Sequence, residues 1–150
     1  MILHIVRGVS GTGKTTYAHE LMDDPVFHTP PFHFEADMFF TDHDGTYRFD
    51  TAFLREAHEW CQLNVKRHMR FKDPVIVSNT FTTFRELRPY IDMAIEFEYA
   101  ICVKTMDTEY GSVHAVPEDA MNRQRMRFVS HDEMMKAIAK YLGATRAEVE

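Results

Sequence analysis

Ile2-Leu3-His4-Ile5-Val6-Arg7-Gly8-Val9-Ser10-Gly11-Thr12-Gly13-Lys14-Thr15-Thr16 runs from an apolar, β-branched segment through three glycines into helix-compatible residues. Ile2 to Val6 reads as a buried strand, and Gly8 stops it. A helix is expected from Thr15 to Met22, where Asp23-Asp24-Pro25 ends it. Between them, Gly8 to Thr15 fits G-x-x-x-x-G-K-[ST] at every fixed position, and it lies where that loop works, after a strand and into a helix. Glycines let the backbone wrap closely, so that successive N–H groups face phosphate oxygens, and the positive end of the next helix adds attraction. In this arrangement residues Gly8, Val9, Ser10, Gly11, Thr12, Gly13, Lys14, Thr15 and Thr16 form the nucleotide cradle. Lys14 bridges the β- and γ-phosphates, the Thr15 hydroxyl holds Mg²⁺, and Thr16 reaches the α-phosphate.

Beyond the loop, strand and helix signals alternate. Phe32 to Ala36 is expected as a second strand closing on Asp37, Pro74 to Ser78 as a third and Tyr99 to Val103 as a fourth. Asp50 suits the N-cap of a long helix over Thr51 to Arg70, with Phe53, Leu54, Ala57, Trp60, Cys61, Val65 and Met69 on its buried face. Thr83-Phe84-Arg85-Glu86 is a capping box for a helix toward Phe97, with Pro89 in its first turns or kinking it. Pro117 begins a helix to about Phe128, and Ser130-His131-Asp132-Glu133 opens a last one, with Met134 and Met135 buried, that Gly143 stops after Leu142. Asp42-His43-Asp44-Gly45 is a surface turn. The alternation predicts one α/β domain: about four parallel strands covered by helices on both faces.

Composition narrows the function. The 150 residues are 45% apolar and 27% charged, the range of a globular chain. No apolar run approaches the roughly 20 residues that cross a bilayer, and Met1 to Arg7 is too short for a signal peptide. Two cysteines, Cys61 and Cys102, give neither a disulfide framework nor a metal-ligand spacing, so a cytoplasmic setting is expected. A net charge of −6 argues against a general polyanion-coating protein.

The ordered set Gly8 to Thr15, Ala36-Asp37-Met38-Phe39-Phe40, Asp44-Gly45-x-Tyr47-x-Phe49, Glu56-Ala57-His58-Glu59-Trp60, Val75-Ile76-Val77-Ser78-Asn79-Thr80, Pro89-Tyr90 and His114-Ala115-Val116-Pro117 resembles the polynucleotide-kinase-like P-loop kinases, over residues 2 to 129. The resemblance implies a P-loop NTPase fold, a lid at about residues 107–117, and ATP- and Mg²⁺-dependent phosphoryl transfer to a hydroxyl. Asp37 matches the acceptor-activating aspartate, first of an Asp-Asp pair whose second member is Met38 here. On position alone Asp37 reads equally as a general base beyond a strand end or as a surface acid.

Three departures stand out. Where relatives carry an aspartate at the end of the third strand, this chain has Ser78-Asn79-Thr80-Phe81, whose neutral Ser78 and Asn79 are left to hydrogen-bond metal-bound water. The arginine that grips an acceptor phosphate is replaced by Phe40, expected to stack on a base. The lid arginine falls near Gly111 or Ser112 and is missing; Arg123 and Arg127, four apart on one helical face, are the candidate substitutes, or else a solvated basic face, while Arg125 points elsewhere. Thr80 and Arg85, with Arg88 nearby, are candidates for holding an acceptor, and His114 for touching nucleotide. His58 is expected to pack or bond near the loop, and the basic run Lys66 to Lys72 to close a helix rather than to hold nucleic acid. The expected activity is a kinase for a nucleic-acid or nucleotide hydroxyl, a polynucleotide 5′-OH first. A small metabolite or hydroxymethylated base as acceptor, and an ATP-binding module with little catalysis, stand as alternatives.

Overall fold

The computed structural model describes residues 1–109 and 116–149, with side chains through Thr145. Strand β1 (Ile2–Arg7) lies inside the sheet, flanked by β3 (Val75–Asn79) and β4 (Ala100–Thr105). Strand β2 (Phe32–Phe34) is on the far side of β3, so the order is β2-β3-β1-β4, with every pairing parallel. Residues 110–115 lie outside the described part, and with them most of the expected lid, including Gly111, Ser112 and His114.

Register turns the alternation of each strand into two different faces. His4 pairs with Ile76, Val6 with Ser78 and His33 with Ile76, so these residues share one face. Helix α1 (Lys14–Met22) covers it, packing Ala18 with Val6 and Ile76. Leu3, Ile5, Val75 and Val77 point the other way, into the larger core. That face takes α2 (Leu54–Arg70), α3 (Phe84–Phe97) and α5 (His131–Val149) through Ala57, Cys61, Val65, Met69, Leu87, Ile91, Met134 and Ile138. Each fully buried Leu, Ile or Met there contributes about 1.5–3 kcal/mol by leaving water.

Several boundaries differ from expectation, each for a local reason. β2 stops at Phe34, because Ala36–Phe40 coils into a 3₁₀ turn whose first N–H, from Ala36, goes to Asn79 Oδ1 at 2.8 Å. Asp50 caps the short 3₁₀ turn Thr51–Phe53, accepting from Ala52 N–H at 2.9 Å, and α2 begins only at Leu54. Phe53 and Leu54 are therefore exposed rather than buried. Thr83 is the N-cap of α3 as expected, but its side chain makes no capping bond; the Glu86 carboxylate accepts instead from Thr82, both N–H and hydroxyl. Pro89 is inside α3, where its missing hydrogen bond falls within the first turns. Ser130 caps α5 by accepting from Glu133 N–H at 3.2 Å, and the helix continues through Gly143 to Val149. One glycine costs a helix only about 1 kcal/mol, and good helix formers follow it. Met134 is buried as expected; Met135 is exposed.

Candidate functional site

The cradle is built from β1, the loop after it and the first turn of α1. Gly11 and Gly13 take φ of 82° and 81°, a left-handed conformation in which side chains are strained. Gly8 is required for a different reason: a Cβ there would lie 2.4 Å from Thr12 Oγ1. The Thr12 hydroxyl donates to the Val9 carbonyl at 2.8 Å, and Lys14 Nζ reaches across the loop to that same oxygen at 3.0 Å. Burial lowers the Lys14 pKa, while Glu35 and Asp37 act against that shift. Both carboxylates thus stand within electrostatic reach of the lysine. Gly8 N–H donates to Thr80 C=O at 3.2 Å, tying the loop to the end of β3 through the backbone of Thr80.

Asp37 sits exposed on the Ala36–Phe40 turn, and the Tyr47 hydroxyl donates to its Oδ1 at 3.3 Å. Tyr47 returns to this place because the turn at Asp42–Gly45 closes on a Thr41–Tyr47 bridge, with Gly45 at φ 85°. Desolvation and the neighbouring Asp37 push the Tyr47 phenol up to about 12, so it stays a donor at neutral pH.

Thr15 shows a contact that the spacing of the motif did not announce. Its hydroxyl donates to Glu35 Oε2 at 2.9 Å, and Ser78 Oγ donates to the same oxygen at 3.0 Å. His33 Nε2 lies 2.6 Å from Ser78 Oγ. Burial and the nearby His19 hold the His33 imidazole down at about 4, so the ring is neutral. A neutral ring donating from Nε2 lets the Ser78 hydroxyl donate onward to Glu35. Glu35 continues the extended backbone of β2, with φ −142° and ψ 149°, which puts it on the same face as His33 and as Ser78 of the next strand.

Ser78 and Asn79, expected to act together, are separated by the pleat. Ser78 points to the α1 face, toward Thr15. Asn79 points to the other, where its amide accepts from Ala36 N–H and donates to Cys61 Sγ at 3.8 Å. Asn79 is thus a structural clamp on the Ala36–Phe40 turn. Phe40 is buried as well, edge-on to Phe39, Tyr47 and Phe49, so its ring is part of the core and no surface for a base. Phe39, beside it, is the partly exposed ring of the turn.

The remaining candidates are distributed as follows. Arg123 and Arg127 are exposed on α4 (Glu118–Arg127), and Gln124 between them holds the loop: its Oε1 accepts from Ser10 N–H at 2.8 Å, and its Nε2 donates to Ser10 Oγ at 3.0 Å. Arg125 pairs with Glu109 and Glu118 at 3.0 and 3.1 Å. Arg85 is exposed in the first turn of α3. Arg88 turns away to Asp92 and lies over the Tyr141 ring, at 5.2 Å from its centroid. His58 is exposed on α2 and does not pack as expected.

The fold and this loop have relatives. A family model described as the AAA domain matches residues 3–115. The chain belongs to the AAA domain family. Human NEDD4-binding protein 2 is 29% identical to this AAA domain over 147 residues, covering 87% of it, whereas the domain spans only 8% of that relative's length. Among solved structures, a chain of the Pnkp1/Rnl/Hen1 RNA repair complex superposes with a TM-score of 0.65 at 17% identity, covering 91% of this domain and 45% of that chain. A gluconokinase from Sinorhizobium meliloti superposes with a TM-score of 0.56 at 13% identity, covering 85% and 74%. The four-stranded parallel sheet flanked by helices, with a glycine loop after β1, is the α/β P-loop fold that the resemblance implied. Among the described residues, no helix of the AAA domain is long and apolar enough to cross a membrane.

Glu35, Gln124 and Tyr47 are the site residues that the sequence left out. The period-2 spacing His33, Glu35, Asp37 was the available signal for the first. A glutamine on α4 bonding to Ser10 carries no local signature, because its partner is 114 residues away.

Proposed function

We propose that this domain is an ATP-dependent kinase in which Asp37 activates an acceptor hydroxyl beside a triphosphate held on Gly8–Thr16. What carries the proposal is the placement of Lys14, at the start of α1 after the β1 loop, and of Asp37, on the turn after β2, both past the carboxyl ends of the strands, where ligands of open parallel sheets bind. The residues fit the nucleotide: two left-handed glycines, a glycine that a Cβ would fill, and a lysine already bonded to an oxygen on the loop. When bound, Mg²⁺ supplies charge neutralisation on the phosphates, with Thr15 as its protein ligand.

The chain's own residues perform the rest. Asp37, held by Tyr47, takes the proton of the acceptor hydroxyl as its oxygen bonds to the γ-phosphorus. The bond to the β–γ bridging oxygen breaks and ADP leaves. Lys14 stabilises charge on the transferred group, and Arg127 or Arg123 on α4 assists from the lid side. Gln124 keeps α4 against the loop. Thr80 and Arg85, beyond the end of β3, line the approach of the acceptor.

The acceptor we favour is a nucleic-acid or nucleotide hydroxyl, with the polynucleotide 5′-OH first; similarity to a chain of an RNA repair complex supports it. A second acceptor class, a small metabolite or hydroxymethylated base, is favoured by the burial of Phe40 where relatives place a phosphate-gripping arginine, and by the gluconokinase likeness. Labelled ATP offered with 5′-OH oligonucleotides, nucleosides and sugars decides between them. Asp37→Asn is expected to slow transfer by about 10²–10⁴-fold with nucleotide affinity nearly kept, and Lys14→Ala to weaken both. Nucleotide binding without transfer to any acceptor would establish the binding-module alternative instead.

A further inference from the structure

We infer that Glu35, reaching over from β2, is the carboxylate that this chain supplies to the Mg²⁺ shell, in place of an acid at the end of β3. The inference rests on the nucleotide reading above and concerns a residue which that reading leaves without a task.

Three observations converge on it. First, Thr15, the hydroxyl that a P-loop offers to the ion, is itself bonded to Glu35 Oε2 at 2.9 Å. Second, β3 contributes no acid there: Ser78 points to Thr15's face, and Asn79 is committed to Ala36 and Cys61 on the other. Third, Glu35 is held for the purpose. Ser78 donates to it at 3.0 Å, and Ser78 is in turn fixed by His33 at 2.6 Å, whose side chain is 2% exposed against 18% for Glu35. Glu35 accepts from two oriented hydroxyls and, among the described residues, forms no direct ion pair with a lysine or arginine, Lys14 acting on it only at longer range, so its carboxylate is left to meet a cation outside the fold.

The geometry of the sheet explains the residue types. β1 carries the loop, β3 is its neighbour and β2 is one strand further out, so an acid on β2 must span roughly one extra strand spacing of about 4.8 Å. Glutamate has the added methylene. Ser78 is small enough to let that side chain cross the top of β3, and it offers a donor where an aspartate would repel. The loss of an acid on β3 and the presence of a glutamate at position 35 are therefore one arrangement.

The test is titration of ADP into the full chain by calorimetry, with Mg²⁺ and with EDTA, plus Mn²⁺ binding to the ADP complex by electron paramagnetic resonance. Wild type should bind ADP more tightly with Mg²⁺. Glu35→Gln should reduce that metal-dependent gain by about tenfold or more and weaken Mn²⁺ to match, with EDTA affinity unchanged. Glu35→Asp, too short to cross, should do the same. Glu35→Gln combined with Ser78→Asp, which returns an acid to β3, should restore the gain. Thermal unfolding confirms that each variant is folded; Ser78→Ala, which only loosens Glu35, serves if Glu35→Gln is not. A folded Glu35→Gln protein with the full metal-dependent gain overturns the inference and leaves the kinase reading standing. Wild type that binds ADP equally with and without Mg²⁺ also overturns it. Wild type that binds no ADP under either condition overturns both.

Discussion

Arg7 is the last residue of β1 and is completely buried, yet no carboxylate is bonded to it among the described residues. Its Nε donates to Phe81 C=O at 3.0 Å, one terminal nitrogen donates to Val129 C=O at 2.7 Å, and the other reaches Thr105 Oγ1 at 3.3 Å. The guanidinium also lies 4.1 Å over the Phe128 ring. Desolvation lowers its pKa to about 10, so it remains charged at neutral pH. Arg7→Met keeps the stem but strands two buried carbonyls, each worth about 1–3 kcal/mol when unpaired. The expected loss is about 3 kcal/mol in urea unfolding, and Arg7→Lys should recover little of it, because one ammonium cannot fork to three separated acceptors. Arg7 carries no signal in the sequence, where the first strand is read only to Val6, for its partners are 74 to 122 residues distant. The residues of the loop were legible for the opposite reason: their geometry is set by neighbours within a few positions. Asp37 stood out as a candidate through the resemblance and through its place after a strand. Glu35, two positions earlier, did not, since its meaning depends on which strand lies beside it.

Among the elements, α5 shows how far a local stop signal can be trusted. Gly143 suits a helix end by composition, but the C-terminal helix runs through it without positive φ, and a Cβ placed there meets no atom within 4 Å. Gly143→Ala should therefore stabilise the protein, by about 0.5–1 kcal/mol, measured as a rise in thermal midpoint. A fall would mean that the helix is interrupted at that point. α2 gives the complementary case. The stripe Ala57, Cys61, Val65, Met69 was readable from four-residue spacing because the element is long and one-sided; Phe53 and Leu54 were misassigned because the Asp50 cap serves a separate 3₁₀ turn. Apolar character alone could not show that the chain changes its pitch at that point.

For the molecule as a whole, the parallel sheet separates two ends. The glycine loop, Asp37, Glu35 and Ser78 gather where the strands finish. The basic run at Lys66–Lys72 precedes β3 and lies where the strands begin, with Lys66 paired to Glu96 at 3.6 Å, His68 to Asp73 at 3.0 Å and Lys72 bonded to Phe97 C=O. The double substitution Arg67→Gln, Arg70→Gln should leave ATP affinity unchanged within twofold by calorimetry; a larger loss would place those cations near the nucleotide after all. The parallel α/β class and strand number were readable because the alternation of short apolar runs with helical segments admits few other folds. Strand order was not, since it depends on pairings between distant segments.

The knot made by Arg7 has a mechanical result. One side chain fastens the exits of β1, β3 and β4 and the α4–α5 junction, the same rim from which the loop and its carboxylates project. Such a rim does not fray by degrees: pulling any one strand exit loose breaks the hold on the others, and the site keeps its shape until the protein gives way as a unit.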